Sequence, residues 1–377
     1  MQVKIFLHIG LLILIASSAA CQRSFASFDR SGSNRISTSS SPAAPRAIVD
    51  KEYEEYRQQV LKRFQDKDYS WIDQEAHRLR LKKERLPGGY WKLRALYAAI
   101  ENPAAGERAS DGDWEDLLQR LNAWATANPK SVTARVALGM GWKDYAWKAR
   151  GDGYADSVSQ AAWDAFEKRL GKAQQALTEA VSLEERCPYW YFTALWVGIG
   201  QQRDRNTLER IFQAGVQLEP TFYYLYQVKA MYLLPRWGGA EGEWERFADD
   251  SALKIGGHEG DIVFFTIYSQ MLSTHGMQLM NNHQQAVPKL LAGFRSIEKL
   301  YGSSRHRLNE ACFFSVFGPD GEAANELFSK VGDDYDEGVW RSKQSFEVFR
   351  QGTQQRAQAA KAQLRNSGAP QSAPPKN

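Results

Sequence analysis

Twice in this chain an apolar helical stretch ends in a short polar stop, followed by a proline and then a run of aromatic residues. Ala180-Val181-Ser182-Leu183-Glu184 precedes Pro188-Tyr189-Trp190-Tyr191, and Gly215-Val216-Gln217-Leu218-Glu219 precedes Pro220 with Phe222-Tyr223-Tyr224. Proline fits the first turn of a helix and opposes one that runs through it, so each proline marks a helix doubling back on its predecessor. Pro188 and Pro220 are 32 residues apart, and Asn128-Pro129 lies nearly two such intervals upstream of Pro188. Between these marks the apolar residues recur at helical spacing, as in Trp114, Leu117, Leu118, Leu121 and Trp124, or Phe166, Leu170, Ala173, Leu177 and Ala180. From Val49 onward no alternating strand segment interrupts them.

The interval is close to the roughly 34-residue period of tetratricopeptide helix pairs. Each such pair exposes an apolar face that only its neighbour covers, so the expectation is all-α: a right-handed stack of antiparallel helix pairs, a tetratricopeptide-like α-solenoid with degenerate repeats. The material for a core is present, since 43% of the 377 residues are apolar, with 12 Trp, 16 Tyr and 18 Phe. Acidic and basic residues are interleaved and sum to +4, which argues against a nucleic-acid partner.

The N-terminus carries an address. Lys4 is followed by an apolar run from Ile5 to Ala16, about a dozen residues, too short to cross a bilayer and suited to a secretory signal peptide spanning 1–20. Ser18-Ala19-Ala20-Cys21 is similar to a bacterial lipobox, which makes Cys21 the lipidation site. Ser18 stands where leucine is usual, so ordinary cleavage after Ala20 is the alternative, giving a soluble periplasmic or secreted protein. Gln22 in place of an aspartate points to the periplasmic face of the outer membrane. Residues 21–48 read as a flexible Ser/Ala/Arg-rich tether, 49–352 as the helical repeat domain, and 353–377 as a polar, largely disordered tail. Cys187 and Cys312 form an even pair in an oxidising compartment, yet each sits where a small core residue would, so their pairing stays open.

Leu233-Leu234-Pro235-Arg236-Trp237-Gly238-Gly239 stops one helix abruptly, with Pro235, Gly238 and Gly239 as the structural turn. One reading has Arg236 satisfying carbonyls at the helix end while Trp237 packs inward; the other makes both a ligand corner. The aromatic runs suggest a binding surface, because four consecutive aromatics on a helix cannot all face one core. The candidate binding residues are therefore Trp147, Arg150, Tyr189, Trp190, Tyr223, Arg236 and Trp237. Catalytic chemistry finds little footing. His275 and His283 lack a completing ligand set for a metal, and His258-Glu259 reads as a solvated loop pair. Asp333, Asp334, Asp336 and Glu337 read as a solvated acidic loop. No nucleophile motif and no cofactor fingerprint is found.

With Ala146-Trp147-Lys148-Ala149-Arg150-Gly151 and Leu234-Pro235-Arg236-Trp237-Gly238-Gly239 both present, the chain resembles an uncharacterised bacterial family, domain of unknown function four-zero-three-four. The resemblance runs from about Trp114 to Phe349, and implies a tetratricopeptide-type helical fold and a bacterial source, without an activity. The functional expectation is an envelope-localised scaffold that binds a protein or extended peptide along its concave face. The alternative is a cell-envelope enzyme or glycan-binding protein with a ligand cleft near Arg150, Arg236 and Trp237. Convergence of the two arginines and a carboxylate on one pocket favours the ligand; separate helix contacts favour the scaffold.

Overall fold

The structure, a computed structural model, describes residues 50–151 and 157–367. The signal peptide, Cys21 and the tether fall outside them. Helices follow one another almost without interruption: α1 (Lys51–Gln65), α2 (Tyr69–Lys82), α3 (Lys92–Ala98), α4 (Asp111–Ala127), α5 (Val132–Arg150), α6 (Gln160–Val181), α7 (Pro188–Gly200), α8 (Arg205–Leu218) and α9 (Tyr224–Tyr232). Then come α10 (Glu243–Ile255), α11 (Gly257–His275), α12 (Val287–Tyr301), α13 (Arg305–Val316), α14 (Gly321–Val331), α15 (Glu337–Trp340) and α16 (Lys343–Ser367). The all-α expectation holds. The exception is a two-residue antiparallel pair, β1 (Arg85–Leu86) with β2 (Tyr90–Trp91), which the sequence reading passed over.

Local chemistry sets the helix starts. Ser131, Ser159, Asp204, Ser304 and Asp320 each accept a hydrogen bond from a backbone amide in the first turn of the helix that follows. Ser110 and Asp113 form a reciprocal capping box on α4. Between α10 and α11 the reversal comes earlier than expected. Gly256 turns the chain, so His258 and Glu259 lie inside α11 and not in a loop.

From α4 to α13 the helices alternate in character. α6 buries six of its 22 residues along one stripe, whereas α7 buries ten of 13, so the second member of that pair is covered nearly all round. α5, α11 and α13 are likewise mostly buried, while α4, α8, α10 and α12 bury a single face. The expectation that some of Tyr189, Trp190, Tyr191 and Phe192 must line an open groove is corrected here. Tyr189 is wholly buried, Trp190 and Phe192 nearly so, and Tyr191 is half-buried, because α7 has neighbours on every side.

One of those sides is supplied by the N-terminal segment, which spans the starts of the inner helices α5, α7, α9 and α13. Asp73 of α2 accepts hydrogen bonds from Ser131 and from Asn128 just before α5. Tyr97 of α3 stacks on Tyr189 at 4.3 Å, and its hydroxyl lies 3.4 Å from the Cys187 thiol. Trp91 donates to the Thr221 carbonyl (3.1 Å), and Tyr223 donates to that of Gly89 (3.1 Å). Farther on, the Gly88 amide donates to Gly302 (3.1 Å), and Asp50 accepts from the Ser304 hydroxyl and the Arg305 amide (2.8 Å). Segments some 250 residues apart are thus joined, since Asp50 and Ser304 are separated by 254 positions.

Three further expectations change. The tail boundary at 352 falls inside α16, which continues to Ser367 with Thr353 and Ala357 buried and Arg356 donating to the Val316 carbonyl at 2.6 Å. Its alanines and glutamines are good helix formers, and small side chains allow close packing on α14. Cys187 and Cys312 are both buried and free, each among apolar neighbours. The acidic segment is divided: Asp333 is fully solvated, but Asp336 is wholly buried as the cap of α15.

Asp336 also receives His306 (Nδ1 to Oδ2, 2.6 Å), whose other ring nitrogen lies 3.4 Å from Glu310, and Glu310 pairs with Arg307 at 2.8 Å. Burial opposes charge on His306, but the Glu310 carboxylate and the bond to Asp336 outweigh it and raise its pKa to about 10. A histidine raised above its ordinary value contributes stability that is full below about pH 6.5 and lost as pH rises through about 10. His306→Gln is expected to cost about 2 kcal/mol at pH 6, with the difference from wild type shrinking toward pH 10. Urea unfolding at both pH values checks this; an equal deficit at both contradicts it.

Candidate functional site

At the edge opposite the N-terminal segment, the ends of α5, α7 and α9 bring four tryptophans together. Trp147 lies one turn before the end of α5, Trp163 near the start of α6, Trp196 in the last turns of α7, and Trp237 in the turn after α9. That turn is a 3-10 segment, Pro235–Trp237, closed by Trp237 N–H to Leu234 (2.8 Å) and by Gly238 at φ +97°. A Cβ on Gly239 would fall 1.9 Å from the Leu233 carbonyl oxygen, so only glycine fits there. The indole of Trp147 meets Trp196 at 5.7 Å, Trp237 at 5.9 Å and Phe166 at 5.1 Å, all edge to face. The Arg150 guanidinium stands 5.8 Å from the Trp163 ring and 5.9 Å from those of Trp147 and Trp237, and donates to the Gly151 carbonyl at 2.9 Å. All four indoles are half-buried, and the Nε1 of Trp147 is buried without an acceptor among the described residues.

The seven candidate binding residues therefore separate. Trp147, Arg150 and Trp237 converge. Arg236 does not join them; it is exposed and reaches no carbonyl of the helix end, and burial together with Arg236 lowers the pKa of His275. Trp190 is a packing residue that donates to the Leu177 carbonyl at 2.9 Å. Tyr189 and Tyr223 belong to the seam under the N-terminal segment. Trp163 and Trp196 were missed. Antiparallel pairing of α5 with α6 places residues just after the break opposite residues just before it, which is the pattern that identifies Trp163.

In the seam, Arg94 pairs with Glu101 at 2.9 Å, and Tyr189 donates to the second Glu101 oxygen, also at 2.9 Å. The guanidinium lies 5.5 Å from the Tyr189 ring and 6.0 Å from those of Phe192 and Tyr224. Beside it Lys143 pairs with Asp144, whose pKa is pushed up to about 6 by burial despite that cation. The two cations are matched by two carboxylates, and Tyr189 adds a hydrogen bond to Glu101. This arrangement holds the N-terminal segment to α5, α7 and α9. A gap of about 10 Å³ between α7, α8 and α9, lined by Leu195, Leu208, Phe212 and Lys229 among others, has room for one water at most.

The tryptophan cluster rests on a turn whose shape depends on glycine more than on its exposed side chains. Gly239→Ala is expected to cost about 3 kcal/mol, through displacement of the Leu233 backbone, and Trp237→Ala only about 1 kcal/mol. Denaturant unfolding of both variants checks the order; an equal or reversed cost contradicts it.

Known proteins offer a partial match. Residues 96–202 match the family described as a domain of unknown function, DUF4034. The matched segment begins inside α3, covers α4 to α7, and includes Trp147, Arg150, Trp163 and Trp196; Leu234–Gly239 lies downstream of it. It is thus shorter than the Trp114 to Phe349 expected from the two motifs, and begins upstream of Trp114. No curated protein and no solved structure matches the chain. Over residues 96–202, then, the chain is similar to DUF4034, a domain of unknown function.

Proposed function

We propose that the protein is an envelope-localised scaffold of tetratricopeptide-like helix pairs that binds a protein or an extended peptide. In this reading the binding surface is the tryptophan edge, not the inner-helix ends, which the N-terminal segment covers. The observation that carries it is the set of four half-buried indoles, three of them around Arg150, drawn from α5, α6, α7 and the turn after α9. Aromatic and arginine side chains are the residues that most often dominate binding energy at protein interfaces. Rings fixed by edge-to-face packing also lose little freedom when a partner is bound. Acylation at Cys21 would hold this edge within reach of periplasmic partners.

The convergence of Arg150, Trp147 and Trp237 also favours a second reading, a glycan stacked on the indoles, in which no catalytic group is assigned. Crosslinking and affinity purification from the envelope, with wild type beside the folded double variant Trp163→Ala/Trp237→Ala, tests the first reading. Loss of the crosslinked protein partners in the variant is the expected result. An unchanged partner set contradicts a role for this edge, and cell-wall glycan fragments recovered in place of protein favour the second reading.

A further inference from the structure

Among the described residues, five large apolar side chains are notably exposed, and four of them are leucines: Leu81 (66%), Leu218 (38%), Leu253 (83%) and Leu300 (43%), with Val348 the fifth. Each leucine lies in the last turn of its helix, α2, α8, α10 and α12 respectively. Arg85, after α2, donates to Thr221 beyond the end of α8 and lies 5.5 Å from the Tyr301 ring at the end of α12, which links these ends along one edge. Lys83 pairs with Glu219 at 2.7 Å, joining the end of α2 to that of α8. His258 lies 2.9 Å from the Lys299 ammonium, and Tyr301 donates to Glu259, joining the turn after α10 to the end of α12.

Charge on this edge is biased. Exposed Lys82, Arg186, Lys254 and Lys299 pair with no carboxylate among the described residues. Glu84, Glu185 and Glu219 are each held by a basic partner, Glu259 by Tyr301 and Glu298 by the Ser303 hydroxyl, leaving Glu52 and Glu184 as the exposed acids at these helix ends without a partner among the described residues. The chain also enters the fold here, because Asp50 is fastened to Ser304 and Arg305 beside the end of α12. The segment leading to it carries Arg23, Arg30, Arg35 and Arg46 against Asp29.

We propose that this edge docks on an anionic lipid surface, the leucines entering the headgroup boundary and the lysines meeting lipid phosphates. Spaced leucines interleaved with lysines suit an interface of lipid heads and tails, and the entry point of the N-terminal segment puts that edge nearest any anchor at Cys21. The tryptophan edge then faces away from the membrane. The inference rests on the envelope reading, but its test omits the acyl chain, so that failure of the anchor and failure of the edge are distinguishable.

The experiment is co-sedimentation of the mature chain from residue 21, carrying Cys21→Ser, with vesicles of phosphatidylethanolamine and phosphatidylglycerol or of phosphatidylcholine alone. Binding to the anionic vesicles that weakens with salt is expected, and Leu81→Gln/Leu253→Gln should reduce it by about tenfold or more. Both substitutions are at exposed positions, and circular dichroism verifies the fold. Val348→Gln, on α16, should leave binding unchanged. The proposal is overturned by absence of binding to anionic vesicles or by equal binding of the double variant. Self-association abolished by the same two substitutions, without vesicle binding, overturns it in favour of a second copy of the chain.

Discussion

The structure depends on the docking of its N-terminal segment across the starts of the inner helices. Helix α7 carries apolar and aromatic side chains on nearly every face, and α13 is buried on nearly every face with Arg307 and Glu310 paired inside, whereas a stack of pairs covers only the faces turned toward neighbouring pairs. The remaining side is closed by α1 to α3 and the short β1–β2 turn, through Tyr97 on Tyr189, Trp91 on Phe222 and Arg307 over Tyr90. Arg94 with Glu101 and Lys143 with Asp144 match charge for charge in the same seam, which offsets the cost of removing four ionic groups from water. Without this cover, the rings of Tyr189, Phe222 and Tyr223 would face water.

Two edges of different character follow. At one, the helix starts, the covering segment, four exposed leucines and a set of unpaired lysines lie together. At the other, the inner helices end in a cluster of indoles around Arg150. A molecule held to a surface by the first edge presents the second, so membrane docking and partner binding need no shared residues.

Much of the helical organisation was legible in the sequence because it is local. Pro188, the break at Asn128-Pro129, and the stripe from Phe166 to Ala180 act within one or two turns, and the structure has helices starting and packing there. The cover over α7 was not legible. It depends on contacts such as Asp50 with Ser304, between positions 254 apart, and nothing in either neighbourhood announces the other. The aromatic run from Tyr189 to Phe192 was consequently misjudged: a helix buried all round has the same local pattern as one beside an open groove. The candidate site was legible in part. Trp147, Arg150 and Trp237 lie in conspicuous short motifs, whereas Trp163 and Trp196 sit in ordinary helical stripes and become neighbours only through packing. Arg236, as conspicuous as Arg150, faces the other way because the 3-10 turn rotates consecutive residues by about a third of a circle.

The claim that the N-terminal segment and the inner helices form one unit is tested most directly by native-state hydrogen exchange in Gly88→Ala. Gly88 sits at φ +79°, and a Cβ there would fall 2.4 Å from that of Ser304, so the substitution strains the seam without touching α7. The account expects amides of α3 and α7 to lose protection together, by a similar factor. Protection lost in residues 92–98 while α7 keeps that of the wild type would contradict it.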